Sequence, residues 1–202
     1  MMITQEPSLD RLTSFEKASW PEHEQASTSD LQQRLNAFPE GVFILSDNGT
    51  DVAQVTLSPK NIVLEDITSF ERMRDLPVNR ESTSAWVTNL AARTGEEFRG
   101  KGYARTLLTE VVRWANRNGI NMIAAGVTCA GYAKLLKSGE VTSIEDYLAQ
   151  NRNPALKTFQ SAAKANGCQC WHSTALANYW EIDEDSHGYG VLVVIDLRKE
   201  NV

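Results

Sequence analysis

Six apolar residues, each three or four positions from another, constrain this chain more than anything else in it. Ala104, Leu107, Leu108, Val111, Val112 and Ala115 lie on one stripe of a helix, with Arg105, Glu110 and Arg113 on other faces. Asn118-Gly119 supplies the C-terminal stop. Before the stripe, Ser84 to Ala92 is β-prone, with Trp86 and Val87 near its start; after it, Ile120 to Val127 is a short apolar run suited to a buried strand. A helix with one apolar face, set between two strands, must lay that face on the sheet they build.

The rest of the chain fits around this unit. The first forty residues predict two helices. Ser8 caps one through Leu12, Phe15 and Trp20, and Pro21 ends it; Ser29 or Asp30 caps a second bearing Leu31 and Leu35, stopped by Pro39-Glu40-Gly41. Val42 to Leu45 and Val52 to Leu57 form a hairpin about the turn Ser46-Asp47-Asn48-Gly49. From Pro59 to Arg80 loop and helix signals mix. Residues 131 to 150 make a long connection in which Ser143 caps a short helix with Ile144, Tyr147 and Leu148. Asn153-Pro154 opens a helix with Leu156, Phe159 and Ala163 inward and Gly167 past its end, and Cys168 to Thr174 and Tyr189 to Leu197 are the closing strands. The expected fold class is α/β, in the sense of a mixed α+β sheet, in one domain over residues 1 to 202.

Composition excludes several classes. The net charge is −6, and no basic run exceeds a couple of residues, which argues against a nucleic-acid partner. The longest apolar runs fall far short of the ~20 residues of a membrane span. The start MMITQEPSLDRL lacks a basic segment followed by an apolar one, so a cytoplasmic location is expected. Three cysteines, Cys129, Cys168 and Cys170, do not suggest a disulfide framework. Cys168, Cys170 and His172 alternate and would share a strand face, but the spacing is not a zinc pattern and no fourth ligand is evident; no metal is expected.

The chemistry concentrates in Glu96-Glu97-Phe98-Arg99-Gly100-Lys101-Gly102-Tyr103-Ala104-Arg105, between a strand and the striped helix. Small residues at Gly100, Gly102 and Ala104 allow close approach of the backbone to a ligand. The unpaired N–H groups and positive dipole end of the helix favour phosphate, and Arg99, Lys101 and Arg105 add charge. The loop is not a Walker motif, because Gly102 follows Lys101, and not GxGxxG, because Arg105 stands at the third glycine. A glycine turn that merely starts a helix remains the plain alternative.

Arg99-Gly100-Lys101-Gly102-Tyr103-Ala104 resembles the R/Q-x-x-G-x-G/A motif of the GNAT N-acetyltransferases, and the element order is similar over nearly the whole chain. The stretch from Arg34-Leu35 through Phe38-Pro39-Glu40-Gly41 to Val42-Phe43 also resembles the approach to the first strands in many members. The resemblance implies an acyl-CoA N-acyltransferase fold, with a central, mostly antiparallel sheet flanked by helices and a cleft where two central strands splay. It implies transfer of acetyl from acetyl-CoA, as cosubstrate, to a primary amine of a small molecule or peptide. The amides of Gly100 to Arg105 would bind the pyrophosphate; Ala92, Arg93 and Thr94 would pair with the pantetheine arm; Asn153 would contact that arm or simply cap its helix. Members often form homodimers.

This sequence departs from the family where protons move. Gln160 stands where many members have a tyrosine acid, and the strand Ser84 to Ala92 carries no glutamate. The candidates for proton transfer are His172 and Tyr179, then Tyr132, Tyr189 and His187; His23 has no case beyond exposure. Trp86, Trp114, Trp171 and Trp180 fit core or pocket walls. These departures keep open a non-catalytic acyl-CoA sensor, an interaction module of the same fold, or a donor longer than acetyl.

Overall fold

Residues 1–180 and 183–198 are described by the computed structural model. Seven strands, β1 (Met2–Gln5), β2 (Val42–Asp47), β3 (Thr50–Pro59), β4 (Ser84–Ala92), β5 (Met122–Thr128), β6 (Gln169–His172) and β7 (Gly190–Asp196), form one sheet in the order β1-β2-β3-β4-β5-β7-β6. Neighbours are antiparallel except β4 and β5, which run parallel. That exception follows from the striped helix, which carries the chain back between them. The helices are α1 (Leu9–Ser19), α2 (Thr28–Ala37), α3 (Phe70–Asp75), α4 (Tyr103–Arg117), α5 (Tyr132–Ser138), α6 (Ile144–Ala149) and α7 (Pro154–Ala165).

The helices sort onto the two sheet faces. On one, Leu107, Leu108, Val111 and Val112 of α4 and Leu156 and Phe159 of α7 pack against Val55, Leu57, Ala85, Val87, Ile123 and Val193. On the other, Leu12 of α1 and Leu31 of α2 cover Val42 and Ile44 of β2. Further along that second face, Trp86, Ala124, Leu192 and Val194 pack with Tyr179, Ile67 and Met73.

Several details differ from the sequence expectation. β1 was not expected: its four residues, MITQ, carry little β signal, and the strand exists because it pairs with the edge of β2 from Met2 opposite Ser46 to Gln5 opposite Phe43. Arg11 pins it. Its guanidinium donates to both Asp51 oxygens (2.8 and 2.6 Å), to Thr4 Oγ1 (3.0 Å) and to Ser46 Oγ (2.7 Å). The hydrogen bonds from Arg11 hold the Asp51 carboxyl below its usual range. The cap of α2 is Ser27, not Ser29 or Asp30; Asp30 closes the capping box from the third position. Residues 131 to 150 hold two helices, α5 and α6, where one was expected, anchored by Tyr147, whose buried hydroxyl donates to Ala130 O at 2.7 Å.

The ambiguous stretch after Pro59 resolves into a 3-10 turn at Leu64–Asp66 and α3. There the buried Lys60 donates from Nζ to Met73 O at 2.9 Å, and burial pushes its pKa down. Among the described residues no helix is long and apolar enough to cross a membrane.

Candidate functional site

The site begins where the sheet comes apart. β4 spans nine residues and β5 seven, yet they pair over only three positions, Ser84–Met122, Ala85–Ile123 and Trp86–Ala124. Past Trp86 the edge of β4 that faces β5 has no strand paired with it among the described residues. A register shift between Thr56 and Leu57 of β3 leaves Thr88 unmatched at the start of this divergence. Such bulges re-aim a strand, here away from its parallel neighbour. The two strands make a fork whose arms are 87–92 and 125–128.

The β4 arm runs directly into the glycine loop. Ala92 still pairs with Ala53, and Arg93 donates its N–H to Val52 O at 2.9 Å, so both remain tied to β3. The Arg93 guanidinium lies over the Phe98 ring, 5.4 Å from its centre. Thr94 Oγ1 donates to Ala18 O at 3.1 Å, which joins the loop to the end of α1. Gly100 and Gly102 both have φ of 72°, the left-handed region that side chains resist. Gly102 is the N-cap of α4, and no side chain caps the helix there. The first N–H groups of α4, beginning at Tyr103, Ala104 and Arg105, therefore lack intrahelical acceptors and point at whatever sits before the helix. Arg99, Lys101 and Arg105 are exposed beside them. Tyr103 instead turns inward and donates to Asp47 Oδ2 at 2.8 Å; that bond raises its pKa and fixes the start of α4 to the β2–β3 hairpin.

Tyr179 lies on the β5 arm. Its side chain is 1% exposed and packs with Trp86 and Ala124, the last residues of the strand pairing. A Cβ placed on Gly126 would fall on the Tyr179 hydroxyl, and one on Gly190 would meet its ring. Two glycines on adjacent strands thus make a seat that holds the phenol over the fork. His172 is exposed on the edge strand β6, beyond β7, with Nδ1 at 2.8 Å from Ser173 O. The structure does not bring His172 and Tyr179 together at the fork.

The remaining candidates stand at the end of β5. Tyr132 packs edge-on against Tyr147, Tyr189 and His187, with ring centres 5.6 to 5.8 Å apart, and burial raises its pKa. Gln160 accepts from Asn151 Nδ2 at 3.2 Å. Asn153 is fully buried: Oδ1 accepts from Ala155 N and Leu156 N, and Nδ2 donates to Thr128 O at 2.9 Å. It caps α7 and ties it to the β5 arm in one step. Asn153→Ala is expected to lower stability by about 2 kcal/mol, from the lost cap and the orphaned carbonyl. Thermal denaturation should then show a midpoint roughly 4–8 °C lower. Among the described residues no group of three or more His, Cys, Asp or Glu side chains is placed to hold a metal ion.

Sequence reasoning missed Glu16. It lies in the sheet-facing stripe of α1 at 4% exposure, where helical spacing calls for an apolar residue; the signal was a carboxylate one position after the buried Phe15.

A sheet forked between two parallel neighbours, with a glycine-capped helix opening beside one arm, is the framework of the GNAT fold. The acetyltransferase (GNAT) family model matches residues 9–135, and the chain belongs to that family. No curated protein sequence matches it. Among solved structures, the GNAT-like decarboxylase GphF in complex with isobutyryl-CoA superposes with a TM-score of 0.79 at 20% identity, over 98% of this chain and 100% of that one. The loading GNATL domain of CurA from Lyngbya majuscula gives 0.72 at 17% identity over 97% of each chain. A ribosomal-protein-alanine N-acetyltransferase from Brucella melitensis gives 0.57 at 14% identity, over 97% of this chain and 99% of that one.

Proposed function

We propose that the protein transfers an acetyl group from acetyl-CoA to a primary amine by direct attack in a ternary complex. The observation that carries this is the meeting of the fork and the loop: the arm that leaves β5 after Trp86 leads straight to the uncapped start of α4. The loop fits a pyrophosphate, because both glycines hold left-handed backbone and open space surrounds the Gly100 position. The amides from Gly100 to Arg105 would take the pyrophosphate, with Arg99, Lys101 and Arg105 screening its charge. The pantetheine arm would enter along Ala92, Arg93 and Thr94 and fill the gap between the strands, with Asn153 holding the far side.

The amine nitrogen would form its bond to the thioester carbonyl carbon as the carbon–sulfur bond breaks. The leaving thiolate would take the Tyr179 phenol proton, and the proton released from the new amide would pass to water, from which the phenolate takes one back. Calorimetric titration with acetyl-CoA, CoA and ADP tests the reading. Saturable binding of the two CoA species is expected, with affinity for acetyl-CoA about 3- to 10-fold weaker in Arg99→Ala. A folded protein that binds none of the three would overturn it.

A second reading is favoured by the closer superposition on the decarboxylase, 0.79 against 0.57 for the N-acetyltransferase. In it the reaction occurs within the acyl group: the bond to a carboxylate on the α-carbon breaks, carbon dioxide leaves, and the α-carbon takes a proton. Incubation with malonyl-CoA separates the two readings, since acetyl-CoA formed without any amine present belongs to the second alone.

A further inference from the structure

The layer between α1 and the sheet is polar where it should be oily. The buried stripe of α1 is Leu12, Phe15, Glu16 and Ser19. Under its first turn the sheet offers Val42 and Ile44. Next to these in register stand Thr56 and Gln54 of β3, and Thr56 is paired in turn with Asn89 of β4. Gln54, Thr56 and Asn89 are 0%, 1% and 9% exposed.

The seam is only partly satisfied from within. Glu16 Oε1 accepts from Ala26 N at 2.8 Å, and Oε2 accepts from Asn89 Nδ2 at a long 3.4 Å. Gln54 Nε2 reaches Thr56 Oγ1 at 3.3 Å. Thr13 Oγ1, Ser19 Oγ, Trp20 Nε1 and Gln54 Oε1 are buried and have no hydrogen-bond partner among the described residues. Leaving such groups unpaired costs about 1–3 kcal/mol each; Ser19 Oγ and Gln54 Oε1 lie in the seam itself, and Thr13 lines the recess beside it.

The open valences say what completes it. A carboxylate, an amide oxygen and two hydroxyls can all accept, and only the Trp20 indole is a pure donor. A recess of about 250 Å³, lined by Thr13, Glu16, Lys17, Glu22, Gln25 and Ala26 among others, opens beside Glu16 from the α1–α2 connection. Arg34 of α2 feels the Glu16 and Asp30 charges, while burial lowers its own pKa; it forms no hydrogen bond or ion pair with Glu16 among the described residues. Asn89, which Glu16 touches, lies three residues beyond the last paired position of β4, roughly 10 Å along the strand.

We propose that this seam is the acceptor subsite and that Glu16 holds a cationic nitrogen of the acceptor, distinct from the one acetylated; the substrate class is an aliphatic diamine or polyamine. The proposal rests on the amine-acceptor reading of the fork. An ammonium supplies three donors to a site rich in acceptors, and Glu16 and Glu22 face it from the recess that Lys17 also lines, with Arg34 of α2 within reach of the Glu16 charge. The carboxylate of a carboxyacyl group would meet Glu16 as a like charge. Glu16 is a positioning residue here, since it acts on the substrate away from the reacting atoms.

The test compares 1,5-diaminopentane with pentylamine, which match in length and differ by one charge. Binding of each to the CoA-saturated protein is measured by calorimetry, which needs no turnover, and acetylation is followed separately. The diamine is expected to bind at least about tenfold more tightly than the monoamine. Glu16→Gln should erase that preference through KM with kcat and acetyl-CoA affinity kept. Glu16→Asp should restore part of it, and the exposed Glu22→Gln should weaken the diamine alone by about twofold. Equal binding of the two amines to wild type, or a preference that survives Glu16→Gln, overturns the assignment. Diamine selectivity without acetylation would support the subsite and count against the acetyltransfer reading instead.

Discussion

Gly102→Glu is expected to weaken acetyl-CoA binding by at least about 100-fold, or about 2.7 kcal/mol. Three effects act together. Backbone at φ 72° charges any side chain roughly 1–2 kcal/mol. A Cβ at this position would stand 3.2 Å from the Arg105 guanidinium, displacing a cation from the coenzyme's surroundings. The new carboxylate would then occupy the positive end of α4, where we propose that the pyrophosphate sits. Calorimetry on a variant with wild-type circular dichroism decides the matter. Unchanged affinity would mean that the loop is not the phosphate cradle.

Gly126→Ala is expected to damage both stability and turnover. A single methyl would occupy the space of the Tyr179 hydroxyl, and the backbone of β5 is held by β7 on its paired edge, so the phenol must leave its seat. Overpacking of this kind costs about 3 kcal/mol, which lowers the melting midpoint by roughly 6–12 °C. Tyr179→Phe separates the two consequences: it keeps the ring in its seat and removes only the hydroxyl that carries the proton. Its acetyl transfer should fall about 10²-fold with coenzyme affinity intact. Full activity in Tyr179→Phe would assign the leaving-group proton elsewhere.

What could be read from the sequence was what local chemistry writes. The α4 stripe is periodic, its glycine loop is distinctive, and β2, β3, β4, β5 and β7 are apolar runs bounded by turn residues. These suffice for the GNAT fold and for the position of the loop. β1 was hidden because its four residues become a strand only through pairing with β2 and the Arg11 clamp. α5 was hidden because its left-handed glycines at both ends, Gly131 and Gly139, look like loop residues in sequence. The site beyond the loop was harder still. Tyr179 could be named as a phenol, but its seat depends on Gly126 and Gly190, 53 and 11 residues away in the chain. Glu16 carried the weakest signal, one acidic residue within an otherwise ordinary amphipathic helix, because its meaning depends on Asn89 and Gln54 beneath it.

The three-rung seam between β4 and β5 also divides the sheet mechanically. β1 to β4 form one ribbon and β5 to β7 another, joined by the pairing of Ser84–Trp86 with Met122–Ala124 and by α4 and α7 bridging from above. A ligand lying in the fork would supply the missing rungs and weld the ribbons into one continuous plate. Among residues 87–92, the amides that point away from β3 toward the gap should therefore exchange quickly in the free protein and slowly once the gap is filled, while those bonded to β3 stay protected throughout, which makes the former a direct gauge of occupancy.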